Sequence, residues 1–258
     1  MIALGVTASD VSTYVRLGVG IVLLLTIACF VLRLAWVPHL RDVVVASLRA
    51  VVQLTIIAFA LRGVFQAPLA VIGVITLMFS VACWTAARRL KGHLNATRAV
   101  IVSIAAGATV AVTIIVGLPS LSRDVRTLVA VCGIVIGGSM TAATLSGRRF
   151  TQGLQDRRDE VEAWLSIGAT PRQAARDIAR SSIYEALVPA LDQTRTVGLV
   201  TLPGAFVGAL LGGASAADAA RFQIVVLVGL LCAEAITATS LLWFIGAPDT
   251  LPTQHEYS

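Results

Sequence analysis

Charge is scarce in this chain: 13% of its 258 residues are Asp, Glu, Lys or Arg, where a soluble domain carries about 25%. Apolar residues make up 57%, above the usual range of about 45–50%. Both departures exclude an ordinary soluble domain and a disordered chain, and make lipid the main solvent. Lysine is nearly absent. The single Lys91 is followed by Gly92, so the chain cannot supply the Gly-x-x-x-x-Gly-Lys run, ending in Ser or Thr, of a P-loop. It also lacks an H-E-x-x-H metal motif and a G-x-S-x-G elbow, which leaves a membrane enzyme without a catalytic set. Cys29, Cys83, Cys132 and Cys232 lie in apolar stretches without Cys-x-x-Cys or Cys-His spacing, so neither a disulfide framework nor a zinc site is expected. His39, His93 and His255 stand far apart and read as solvated loop residues. No basic stretch precedes the first apolar run, and Asp10 stands there instead, so that run is expected to persist as a span and not as a cleaved signal.

What is present is a series of long apolar runs. A hydrocarbon core about 30 Å thick needs about 20 mostly apolar residues per helix, and seven runs approach that length: 14–34, 43–61, 68–87, 99–118, 127–146, 183–212 and 222–245. The expected fold is therefore all-α, a polytopic membrane bundle of about seven spans in one permease domain over 1–258. The sixth run holds Pro189, Asp192, Arg195 and Pro203 and reads as a broken span or a short interfacial helix leading into a shorter one. With the N-terminus outside, thirteen of the twenty Lys and Arg fall on the cytoplasmic side and five outside, while Arg49 and Arg195 fall within spans. That places the C-terminus in the cytoplasm. The net charge of +6 is then explained by loops and headgroup contacts, and no nucleic-acid partner is expected.

One long hydrophilic connection, about 147–182, has the chemistry of two short helices. Val161, Trp164 and Leu165 recur at helical spacing among Arg157, Arg158, Asp159, Glu160 and Glu162. Gly168 suits a left-handed helix end. Thr170, Pro171 and Gln173 then form an N-cap, a first helical proline and a capping-box partner, so a second helix is expected over 171–180. Along it Arg172, Arg176 and Arg180 stand four apart as a basic stripe suited to lipid phosphates or an acidic protein surface.

Charges inside spans are functional candidates by default: Arg49, Asp192, Arg195 and Glu234. Asp192 and Arg195 share a helix face, as do Arg49 and Gln53. Two readings stand: an interhelical polar network that fixes the bundle, or a route whose carboxylates, Asp192 and Glu234, transiently hold a divalent cation. Pro189, Pro203 and Gly204 are expected to break or bend the sixth span. Gly133, Gly137, Gly138, Gly208, Gly212 and Gly213 permit close helix approach.

Several strings resemble the FetB-type permeases, the membrane subunits of a bacterial ABC iron-exporter group related to plant aluminium-tolerance permeases. LSIGATPRQA at 165–174 is similar to that family's cytoplasmic signature, and LDQTRTVGLVTLPG at 191–204 to its sixth-span signature. Arg49, Ala50, Gln53 and Leu54 fit its Arg-Ala-x-x-Gln-Leu pattern, and GRRF at 147–150 follows the fifth span. The chain departs from it at Gly138, where the family commonly has Asn. It also meets the importer EAA loop only in part, through Glu162, Ala163, Trp164 and Gly168. The resemblance implies two permease copies with a separate ABC ATPase subunit, ATP and magnesium bound by that partner, and no cofactor on this chain. It further implies export of iron or another metal across a bacterial inner membrane. The coupling set it implies is Glu162, Gly168, Ala169, Thr170, Pro171, Arg172, Gln173, Arg176 and Arg180. A stand-alone secondary transporter or channel remains the alternative, which would not need a rigid docking helix.

Overall fold

A computed structural model describes residues 8–38, 40–64, 68–90, 96–117 and 124–247; Lys91, Arg123 and the three histidines lie outside them. The described residues form ten helices and no strand. Six helices contain stretches long and apolar enough to cross a membrane: α1 (Ala8–Leu34), α2 (Leu40–Val64), α3 (Pro68–Arg89), α4 (Ala96–Gly117), α5 (Val125–Asp156) and α10 (Ala216–Ile245). The chain is thus an all-α, multi-pass membrane protein, as its composition requires. Inside lipid only a helix that satisfies its own backbone, or a closed barrel, is stable.

The expected run 183–212 is divided. Helix α8 (Arg176–Thr196) ends before a turn at 197–203, and α9 (Gly204–Leu211) follows. Six charged side chains keep α8 out of the apolar class, although its 21 residues, at 1.5 Å each, reach about the thickness of the hydrocarbon core. Pro189 does not break this helix, contrary to expectation. It costs one backbone hydrogen bond, but α8 is packed against both α5 and α10, which hold the turns around it. The break falls at the turn, where Gly198 takes a φ of 81° and Pro203, the N-cap of α9 ahead of Gly204, has no N–H to continue a ladder.

Helices α1 and α2 form one compact unit and α3 to α10 another. In the first, no described side chain is fully buried. Its turn ends α1 with Trp36 N–H donating to the Arg33 carbonyl (3.2 Å) and Val37 N–H to that of Leu32 (3.1 Å), a Schellman pattern that puts Trp36 at a φ of 53°.

In the second unit α10 packs most extensively against α4 and α5. Contact is close where side chains are small. A Cβ added at Gly107 would strike the Ala233 backbone and the Thr237 hydroxyl. Next to this contact the Thr237 hydroxyl donates to the Ser103 carbonyl at 3.3 Å. Such interhelical bonds contribute about 0.6 kcal/mol on average, so close packing carries most of the association. Two apolar clusters result. One holds Ile115, Val131, Val135 and Val226; the other, at the opposite end, holds Leu90, Phe150, Leu154 and Leu241 together with Val161, Ala174, Ala175 and Ile178.

Candidate functional site

Helix α5 carries the chain out of the membrane. Its 32 residues span about 48 Å, so its last turns, with Arg148, Arg149 and Asp156, pass beyond a core about 30 Å thick. The expected fifth run stopped at 146; the helix goes on because Phe150 and Leu154, one turn apart, are fully buried. Helix α6 (Arg158–Ser166) follows, anchored by Val161, which is also buried. Arg157 grips Glu160 through two bonds (2.7 and 2.6 Å), and Arg158 pairs with Glu162 at 2.7 Å. The Arg157 hydrogen bond holds the Glu160 carboxyl below the usual glutamate range, and Glu160 in turn raises the Arg157 guanidinium.

The joint after α6 matches the sequence expectation. Gly168 takes a φ of 90°, with its N–H on the Leu165 carbonyl (3.0 Å) and the Ala169 N–H on that of Trp164 (3.1 Å). The capping box is complete: Gln173 N–H donates to the Thr170 hydroxyl (3.4 Å), and Thr170 N–H donates to Gln173 Oε1 (2.9 Å). The helix begun there is shorter than expected. α7 covers Pro171–Ala174, Ala175 steps out to φ −92°, ψ 2°, and α8 then runs to Thr196. The capped helix α7 and the sixth-run helix are therefore separated by a single residue. Two of the three arginines of the basic stripe are engaged within the chain. Arg172 lies over the Trp243 ring and donates to its carbonyl, Arg180 pairs with Asp177 at 3.6 Å, and Arg176 is exposed.

Trp243, which the sequence did not single out, is thus the point where the last turn of α10 meets α7. Trp164 and Ile167 face outward beside Gly168, 49% and 74% exposed, as an apolar knob on an otherwise charged surface.

Helix α8 has two faces. Ile178, Ser182, Ala186 and Ala190, each four apart, are buried against the bundle. Asp177, Tyr184, Glu185, Asp192, Gln193 and Arg195 are exposed. Arg149 of α5 reaches Glu185 at 3.0 Å, and Arg195 reaches Asp192 at 3.4 Å. Asp192 and Arg195 therefore pair on one face, as their spacing predicts.

Glu234 is placed differently. It is 6% exposed on α10 and points toward Gly138 of α5, where an added Cβ would lie 2.8 Å from its Oε1. Gly138 makes room for a carboxylate. Ser139, next to Gly138, and Ser103, whose carbonyl accepts from Thr237, each bury a hydroxyl that has no partner among the described residues. Asp192 and Glu234 do not meet in a preformed cage: among the described residues no three His, Cys, Asp or Glu side chains group as metal ligands. Arg49 and Gln53 sit exposed on α2, within the separate first unit.

A family model described as Uncharacterised protein family (UPF0014) matches residues 15–247. The rice "UPF0014 membrane protein STAR2" (Oryza sativa subsp. japonica) is 35% identical over 80% of this chain and 75% of its own length. The Arabidopsis thaliana "Protein ALUMINUM SENSITIVE 3" is 32% identical over 76% and 73%. The Escherichia coli "Probable iron export permease protein FetB" is 30% identical over 76% and 77%. No solved structure matches the chain.

Proposed function

The chain belongs to the UPF0014 family of membrane proteins, and from that premise we propose that it is the permease subunit of an ATP-driven ABC transporter. A separate ATPase binds ATP and magnesium and docks on the end that carries α6 and α7. This chain binds no cofactor and performs no hydrolysis. Its cargo is iron or another metal ion, moved outward, in keeping with the name of the E. coli relative. The membrane is a bacterial inner membrane, with the N-terminus outside and the docking end in the cytoplasm.

The observation that carries this reading is the polar outer face of α8. Ionised groups facing lipid are costly, by roughly 2.5–3.5 kcal/mol each at mid-membrane on insertion scales, so a face bearing Glu185, Asp192 and Arg195 belongs against water or protein. A second copy of the chain, with the route between two α8 faces, satisfies that requirement. Asp192 offers hard oxygen to a passing cation there. Glu234, buried beside Gly138, offers a second carboxylate within each bundle.

Force enters by the shortest covalent path available. An ATPase seated on Trp164, Ile167 and the capped start of α7 moves α8 through the single residue Ala175. Arg172 passes the same displacement to α10. The test is ATP-dependent iron movement in proteoliposomes holding the chain with its ATPase, beside the chain alone and an ATPase-dead pair. Movement in the complete pair only is expected. Equal movement by the chain alone would overturn the reading in favour of a secondary transporter or channel.

A further inference from the structure

The last turns of α3 and the first of α4 enclose a groove of about 630 Å³. Phe79, Cys83 and Ile101 make its wall apolar, and the Ser80 hydroxyl there is already bonded to the Thr76 carbonyl at 2.8 Å. From Ser80 to Arg88 the wall rises about 12 Å along the helix, enough for a length of acyl chain. One end of the groove is cationic. The Arg88 guanidinium stacks over the Trp84 ring at 5.4 Å, is exposed, and has no carboxylate partner among the described residues. Among the described residues no acidic side chain lines the groove, and α4 begins at Ala96, so the positive end of its dipole opens beside Thr97 at the same lip. Arg88 is also the penultimate residue of the apolar stretch Leu69–Arg89, at the level where hydrocarbon gives way to headgroups.

We propose that this groove is a site for one anionic phospholipid, its phosphate held by Arg88 and one acyl chain laid between α3 and α4. The stacked indole fixes the guanidinium at the membrane surface while leaving its charge and its donors available, which an unanchored arginine would not do. An apolar wall under an uncompensated cation suits a lipid better than a soluble phosphate, which would leave the wall wet. The site is independent of the transport reading, since it requires only that the chain lie in a membrane.

The experiment uses full-length chain in which Trp36, Trp164 and Trp243 are replaced by Phe, so that Trp84 is the only indole. It is reconstituted with brominated phosphatidylglycerol or brominated phosphatidylcholine, whose bromines quench indoles in contact. Anionic lipid is expected to occupy the site about fivefold more readily than zwitterionic lipid at low salt. The preference is expected to shrink in high salt, to vanish in Arg88→Gln and to persist in part in Arg88→Lys. The salt series on the unaltered arginine keeps the test valid if Arg88→Gln fails to fold. Equal quenching by both lipids would overturn the proposal, and so would no quenching by either, which would mean that protein covers the groove.

Discussion

The Arg172 guanidinium lies 5.3 Å from the centre of the Trp243 ring and donates to the Trp243 backbone carbonyl at 2.9 Å. That carbonyl belongs to the last turn of α10, where no further helical N–H reaches it. One side chain therefore caps α10 and tethers α7 to it. Arg172→Ala is expected to destabilise the protein by about 1–2 kcal/mol, from the lost stacking and the lost charged hydrogen bond. Arg172→Lys retains charge but not the planar fork, and Trp243→Phe retains the carbonyl and a weaker ring, so both should fall between. Melting curves of the detergent-solubilised protein check the order. Transport per ATP hydrolysed should fall in the same order while the ATPase still co-purifies.

Gly168 joins α6 to α7 at a φ of 90°, and a Cβ placed there would touch nothing within 4 Å. The cost of a substitution is therefore conformational alone. Gly168→Ala is expected to lose about 1–2 kcal/mol, and Gly168→Asn less, because Asn tolerates the left-handed region. Equal melting temperatures for the two variants would refute this account of the joint.

Packing sets a different limit at Gly138. A methyl group there would collide with the Leu230 side chain and press on Glu234. Gly138→Ala should cost about 1–3 kcal/mol by overpacking. The cost should shrink when Leu230→Ala is added, so the pair would be less than additive in a double-mutant cycle. Simple additivity would mean that α5 and α10 do not approach here.

Why the α6–α7 joint was legible in the sequence, while much of the bundle was not, follows from the range of the interactions. Gly168, Thr170, Pro171 and Gln173 act within three or four residues, so spacing alone marks the joint and the cap. The pairing of Asp192 with Arg195 is local in the same way. The continuation of α5 to Asp156 is set instead by the cluster that Phe150 and Leu154 join, with Leu90 just past α3, Val161 of α6 and Ile178 of α8. The survival of α8 through Pro189 likewise depends on neighbours, as does the value of Gly107, Gly147 and Gly229, whose close contacts lie on Thr237, Leu90 and Ile115. Trp243 had no local mark at all, since its significance comes from a residue 71 positions away.

Acid should weaken α6. The folded Glu160 carboxyl is held below its ordinary value of 4.5 by Arg157, so the ion pair contributes fully above that value and is lost as pH falls through the lowered one. Between pH 7 and pH 5 the pair should add no pH dependence to the melting temperature. Below about pH 4.5 the native protein should lose stability faster than Glu160→Gln, which has no such proton to take up. Both groups are largely solvated, so added salt should narrow the difference.

The outward face of α8 makes the most direct structural prediction. If two copies meet there, Tyr184, exposed on the side that carries Arg195 eleven residues on, lies close to its counterpart across a two-fold axis, whereas Ser182 is buried inside each bundle. In a background with the four native cysteines replaced, Tyr184→Cys should form a covalent dimer on mild oxidation in the membrane, because a disulfide needs Cα atoms within about 7 Å. Ser182→Cys should not. Asp192→Asn should lower metal movement without lowering the amount of folded protein, since its pairing with Arg195 is exposed and worth about 1 kcal/mol or less. Loss of folded protein in Asp192→Asn would instead make the pair structural, and a cross-link from Ser182→Cys would place the contact between copies on another face.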